Sequence, residues 1–197
     1  MTTPSPVRIG INGFGRMGRL VLRALPRHPG IELVHVNEHK GDVATAAHLL
    51  EFYQRCGRDP RIVDYLRPFA EGLLARIDER GAIPSFYTPD MKPIADLHYS
   101  AQPAAMMWFL AEMAGVTGES RFRDGAVRIA EYLKKEIIPQ QRWIDLEVYY
   151  SCGSNPLSYM MDETQGLPIR GNLSAMWAAK GFKALYQVTR DKAHLEA

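Results

Sequence analysis

Cysteine is scarce in this chain. There are two, Cys56 and Cys152, which excludes a disulfide framework and a CxxC metal pair and makes a reducing, cytoplasmic compartment the expectation. Long apolar runs are missing: none approaches the roughly 20 residues of a membrane-spanning helix, so no membrane association is expected. The opening residues, MTTPSPVRIGIN, lack the charged and apolar regions of a secretory leader. Charge of one sign is also missing. Lys and Arg number 24 against 22 Asp and Glu, a net charge of +2, with no basic tract interleaved with aromatics, so no nucleic-acid partner is expected. The histidines His35, His39, His48 and His98 show no HExxH or comparable spacing, and no metal site is expected. The chain does have 46% hydrophobic and 23% charged residues over 197 positions. That is enough for one good-sized domain or two small ones with a buried core.

The stretch VRIGINGFGRMGRLVLRAL, residues 7–25, reads as a strand, a glycine turn and a helix. Val7, Ile9 and Ile11 alternate. Gly13, Gly15 and Gly18 then give the GxGxxG spacing: the first permits a tight turn, the second lets backbone approach a pyrophosphate, and the third lets the helix pack on its strand. Met17, Leu20, Val21 and Leu25 are expected to form the helix's apolar face. The helix N-terminus offers free amides and a positive dipole end to phosphates. A second β-prone run, IELVHVN (31–37), leads to Glu38, about 20 residues beyond the third glycine, where a carboxylate bonds the ribose hydroxyls of NAD and repels a 2′-phosphate. The expected cofactor is therefore NAD.

GINGFGRMGRLVLRAL followed by VHVNEHKGDVATAAHLLEF resembles the N-terminus of glyceraldehyde-3-phosphate dehydrogenase, in particular the bacterial branch associated with arsenic-resistance genes. The resemblance covers about residues 7–52. It implies that Asn12, Gly13, Arg16 and Met17 line the cofactor through the turn, and that Glu38 stands where the family usually has Asp.

Beyond residue 52 the pattern changes. In YQRCGRDPRIVDYLRPFAEGLLARIDERG, apolar residues recur at helical spacing and no further parallel strand is evident. The stretch 59–77, DPRIVDYLRPFAEGLLARI, aligns with 119–137, ESRFRDGAVRIAEYLKKEI. Arg61 meets Arg121, Glu71 meets Glu131 and Ile77 meets Ile137. FLAEMAGVTGESRF (109–122) resembles GFKALYQVTRDKAHL (181–195), including a Val-Thr turn. Such repetition marks stacked helical hairpins. With ERGAIPSFYTPDMKP, RWIDLEVYYSCGSNPL and QGLPIRGNLSAMWAAKGFKALYQVT, residues 57–197 resemble the six-hairpin, α/α-toroid family of carbohydrate-active proteins.

Three groups invite chemistry. Asp145 and Glu147, two apart in RWIDLEVYY among Trp143, Tyr149 and Tyr150, suit a sugar site in which one carboxylic acid protonates the leaving oxygen and another assists. Asp90, Asp96, Asp162 and Glu163 are further loop acids. The dehydrogenase resemblance implies a nucleophilic role for Cys152 in SCGSN, attacking an aldehyde. Gly153, Ser154 and Pro156 depart from that family's pattern, and the sole downstream histidine is His194. Trp108, Trp143 and Trp177 read as core.

The expected fold is mixed α/β then all-α: a partial Rossmann βαβ unit (1–52) followed by helical hairpins of a partial α/α toroid (53–197). Helices are expected near 14–26, 59–79, 98–116, 119–137 and 172–189. The expected function is that of a composite chain that binds NAD weakly without complete dehydrogenase turnover. The alternatives are a carbohydrate-active hydrolase or sugar-binding toroid with an appended N-terminus, and an NAD-dependent aldehyde dehydrogenase. Expected partners are a carbohydrate ligand and, through unfinished strand edges, a second copy.

Overall fold

The computed structural model describes residues 5–12, 16–37, 43–84, 88, 90, 92–93, 100–143, 161–162, 167–168 and 172–196. The chain divides into two compact units, Met1–Ile62 and Val63–Ala197.

The first unit begins with β1 (Val7–Asn12), α1 (Arg16–Ala24), a 3-10 turn at Leu25–Arg27 and β2 (Ile31–Asn37). The strands pair in parallel, from Val7 opposite Ile31 to Asn12 opposite Asn37, with an irregularity between Ile9 and Gly10. Parallel pairing needs a crossover, and α1 supplies it. Ile11 and Leu22 are buried together, with Leu25, Leu33, Leu49 and Phe52 packed around them. Each such side chain contributes about 1.5–3 kcal/mol when fully buried.

This packing corrects the expected face of α1. Gly18, Leu22 and Leu25 face inward, while Met17, Leu20 and Val21 are exposed. The inward row is i, i+4, i+7 from Gly18, which puts Leu22 and Leu25 on the face that packs with Ile11 and Leu33. A second correction is α2 (Val43–Arg55), which was not among the expected helices. It buries Ala44, Ala46, Ala47 and Leu50, and its alanines are strong helix formers. The expected boundary between residues 52 and 53 falls inside this helix, whereas the two compact units meet inside α3 (Pro60–Leu74).

The second unit holds most of α3, then α4 (Pro103–Thr117), α5 (Ser120–Tyr132) with a π turn continuing it through Leu133–Ile137, and α6 (Asn172–Thr189). A two-residue antiparallel ladder joins β3 (Met161–Asp162) to β4 (Leu167–Pro168). α4 is apolar almost all round and buries ten residues from Pro103 to Ala114, the mark of a central helix. A Cβ at Gly181 would lie 3.2 Å from the Trp108 amide nitrogen, and one at Gly115 would lie 3.3 Å from Val188 Cγ1. Positions therefore rise together along α4 and α6, which run parallel. The same holds for α3 and α5: Arg67 pairs with Glu119, Arg121 with Glu71 at 2.9 Å, and Arg128 donates to the Asp78 carbonyl at 2.7 Å. α4 and α5 run antiparallel, with Leu110 beside Gly125. Alternate helices in parallel and neighbours antiparallel is the layout of stacked hairpins.

α3 ends at Leu74, short of the expected residue 79. Asp78 turns the chain: its carboxylate accepts from the amides of Arg80 and Ala82, each at 2.9 Å. Arg128 satisfies the carbonyls of Ile77 and Asp78 left by the stop.

One helix junction occurs three times, at Arg58-Asp59-Pro60, Gly118-Glu119-Ser120 and Arg190-Asp191-Lys192. The first residue of each is left-handed, with φ of 55°, 72° and 62°. Glu119 and Asp191 are then extended, with φ/ψ of −79°/117° and −83°/114°. Each acid's carbonyl accepts from the amide three residues on, of Ile62, Phe122 and His194, at 3.2, 3.3 and 3.3 Å. Thr117 and Thr189 act alike in the last two. Each hydroxyl donates to the carbonyl four residues back at 2.8 Å and accepts the acid's amide at 3.2 Å. The Val-Thr repeat thus satisfies groups that the helix end would otherwise leave open. Among the described residues, no helix is long and apolar enough to cross a membrane.

Candidate functional site

The candidate site is the end of the parallel pair in the first unit. Asn12 and Asn37 are the last register partners, so β1 and β2 finish side by side. α1 starts at Arg16, a few residues after β1 ends. Its N-terminus therefore opens at the carboxyl edge of the sheet, where unpaired amides and the helix dipole favour a pyrophosphate. Glu38 is the residue that follows β2 in sequence.

The expected residues divide by what the structure describes. Gly13, Gly15 and Glu38 lie outside the described residues, and so do the side chains of Asn12 and Arg16. Gly18 is buried in the first turn of α1, as close packing of helix on strand requires. Met17 beside it is 69% exposed.

Asp145, Glu147 and Cys152, with Asp96 and Glu163, fall outside the described residues. Asp90 is exposed and bonded first to Lys92 and then to Thr88, which hold its carboxyl below the usual range. Stable ionisation of this kind suits a surface turn better than a proton donor. His194 is buried against Phe182, with ring centroids 6.5 Å apart. Trp108 and Trp177 are core, as expected. The Trp108 indole nitrogen donates to Glu112 at 3.2 Å, and the Lys180 ammonium stands 4.0 Å from its ring centroid.

Sequence reasoning missed α2, whose Leu49 and Phe52 help to close the core behind the site. Its alanine and leucine spacing was the available signal. Arg61 and Arg121, aligned by the repeat, take the same local partner. Arg61 Nε donates to Asp59 at 2.9 Å, and Arg121 Nε to Glu119 at 2.8 Å.

Residues 7–65 match the family model described as the glyceraldehyde 3-phosphate dehydrogenase, NAD binding domain. Glyceraldehyde-3-phosphate dehydrogenase 3 of Nostoc sp. is 62% identical over 52 residues, 26% of this chain and 15% of that protein. Glyceraldehyde-3-phosphate dehydrogenase 1 of Streptomyces avermitilis is 55% identical over 58 residues, 29% of this chain and 17% of that protein. The Lactococcus lactis enzyme is 48% identical over 52 residues, 26% and 15% respectively. The chain thus spans about 15% to 17% of the length of these curated relatives. No solved structure matches the chain. The match supports NAD binding by the first unit, and it runs beyond the expected residue 52 through α2 into α3.

Proposed function

We propose that this chain is a composite. A dinucleotide half-site of glyceraldehyde-3-phosphate dehydrogenase type is joined through α2 to part of an α/α toroid of carbohydrate-active type, without complete dehydrogenase turnover. The observation behind this reading is the change of architecture after α2. Before it, β1, α1 and β2 have the register of a dinucleotide unit. After it, the described residues form helical hairpins and only the short β3–β4 ladder.

The parts before α2 serve the adenosine and pyrophosphate half of NAD: the glycine turn, the first amides of α1, and Glu38 at the ribose. In a doubly wound sheet the nicotinamide half rests on later strands. Binding is therefore weak and indifferent to redox state. Calorimetric titration with NAD, NADH and ADP-ribose tests this, and similar weak affinities are expected. Tight binding of NAD with strong preference over ADP-ribose would overturn the reading.

The repeated junction favours a second reading of the helical part. Parallel alternate helices joined by one recurring turn are how toroids of helical hairpins are built, and such toroids gather their loops at one end. Asp145 and Glu147 would be the acids of a sugar site there, among aromatics that pack on ring faces. An oligosaccharide panel tests this by calorimetry. No heat across a broad panel from folded protein would sink it.

A further inference from the structure

The slot three residues after each junction acid is apolar in the first two copies and titratable in the third. It holds Ile62 after Asp59, Phe122 after Glu119 and His194 after Asp191, each with the same amide bond to the acid's carbonyl. Phe122 is fully buried. His194 fills the equivalent place at 5% exposure, its ring stacked on Phe182 with 26° between planes. Its Nδ1 is buried without a protein partner among the described residues. A polar nitrogen in such a slot costs stability even when the ring is neutral, and a second ring proton would place a charge there.

The charged groups around the ring oppose one another. Lys134, from the π turn that continues α5, sets its ammonium 5.9 Å from the Phe182 ring centroid. Glu131 comes from α5 and Asp191 from the histidine's own turn, while α6 presents the Phe182 ring. Burial first and Lys134 second hold His194 below its ordinary value, against the pull of Asp191 and Glu131. Among the described residues the rest of this turn is held mainly by local bonds. Lys192, Ala193, Leu195 and Glu196 are all exposed. The remaining bonds are local: the Ala193 amide to Asp191 at 3.0 Å and the Leu195 amide to the Lys192 carbonyl at 2.8 Å.

We propose that His194 is a pH-sensitive latch: neutral, it docks the turn Asp191–Glu196 against Phe182 of α6, and protonated, it withdraws and uncovers that ring. The released turn binds the proton more tightly than the docked one. Docking is therefore complete above the ordinary histidine value of about 6.5 and is lost as pH falls below it. The device depends on neither the cofactor nor the sugar reading.

The test uses the full chain with labelled histidine, followed by NMR and amide exchange between pH 8 and pH 5. The His194 ring should titrate below the other histidines. Protection of the His194 and Leu195 amides should fall about tenfold per pH unit between the released and docked values. His194→Phe, which restores the residue type of the second repeat, should keep its protection throughout. An ordinary titration of the His194 ring, or the same loss of protection in His194→Phe, would overturn the proposal. Should that variant not fold, Lys134→Gln serves: the ring's titration should move up toward the ordinary value, and no movement would count against the latch.

Discussion

Gly118 and Arg190 hold the same backbone position. Each closes a helix in the left-handed region, at φ 72° and 62°, with its amide bonded to the carbonyl four residues back at 2.9 and 2.8 Å. Glycine takes this conformation without penalty, whereas a side chain there costs about 1–2 kcal/mol. Arg190→Gly should therefore stabilise the helical unit by about 1 kcal/mol, and Gly118→Ala should destabilise it by a similar amount. Urea midpoints at constant slope measure both. A fall in stability for Arg190→Gly would mean that the arginine side chain holds the junction.

Gly81 is a harsher case. It lies at φ 85°, and a Cβ would come within 2.9 Å of the Arg128 carbonyl carbon. The obstacle is backbone, which cannot rotate away, and it belongs to the residue that caps the end of α3. Gly81→Ala should cost more than the roughly 1–2 kcal/mol of backbone strain alone. Gly57→Ala makes the comparison, since φ there is 94° with nothing within 4 Å. Equal losses for the two would show that the Arg128 contact yields freely.

Much of this architecture is legible in the sequence where the signal is local. Strand, glycine turn, helix and second strand follow one another within about thirty residues, each with its own period. The hairpin helices show through their apolar spacing, and the repeat shows through Arg61, Arg121 and the Val-Thr pair. What is not legible was decided by contacts distant in sequence. The inward row of α1 depends on its packing with Ile11 of β1, Leu33 of β2 and Leu49 and Phe52 of α2. The end of α3 depends on Arg128. In the candidate site, the edge formed by Asn12 and Asn37 follows from the strand order. The burial of His194 depends on Phe182 of α6, on which its ring stacks.

The Glu119 carboxylate links two helices. It accepts from Arg67 of α3 and from Arg121, which also reaches Glu71. The bond from Arg67, foremost, holds its carboxyl below the ordinary value. The folded form thus releases this proton more readily than the unfolded form. Stability from the network is present above the ordinary glutamate value of about 4.3 and is lost as pH falls through the lower folded value. Glu119→Gln should flatten that acid limb of the stability curve and leave the limb near His194 unchanged. An acid limb identical to wild type would remove Glu119 from the account.

Ser174 lies fully buried in α6, and its hydroxyl has no protein partner among the described residues. A buried hydroxyl left unpaired costs about 1–3 kcal/mol. Ser174→Ala removes the polar atom with little change of volume and should raise the urea midpoint. A clear loss of stability would mean that the hydroxyl is satisfied in solution by a bridging water.

The cofactor half-site makes the last prediction. Gly13 follows β1 in sequence, and the proposed half-site has its backbone approach a phosphate, so a valine side chain would stand in the path. Gly13→Val should therefore weaken NAD and ADP-ribose equally, because both carry the pyrophosphate. Glu38, next in sequence after β2, is the acceptor proposed for the ribose. Glu38→Ala removes a charged acceptor and should weaken both ligands by about 1–3 kcal/mol. Loss of the carboxylate should also reduce discrimination against a 2′-phosphate, so NADP should suffer less than NAD. Titration of wild type and both variants with NAD, NADP and ADP-ribose reads all three effects. If Glu38→Ala binds NAD as wild type does while Gly13→Val does not, the pyrophosphate contact stands and the ribose assignment falls. If neither variant changes binding, the dinucleotide does not occupy this edge of the sheet.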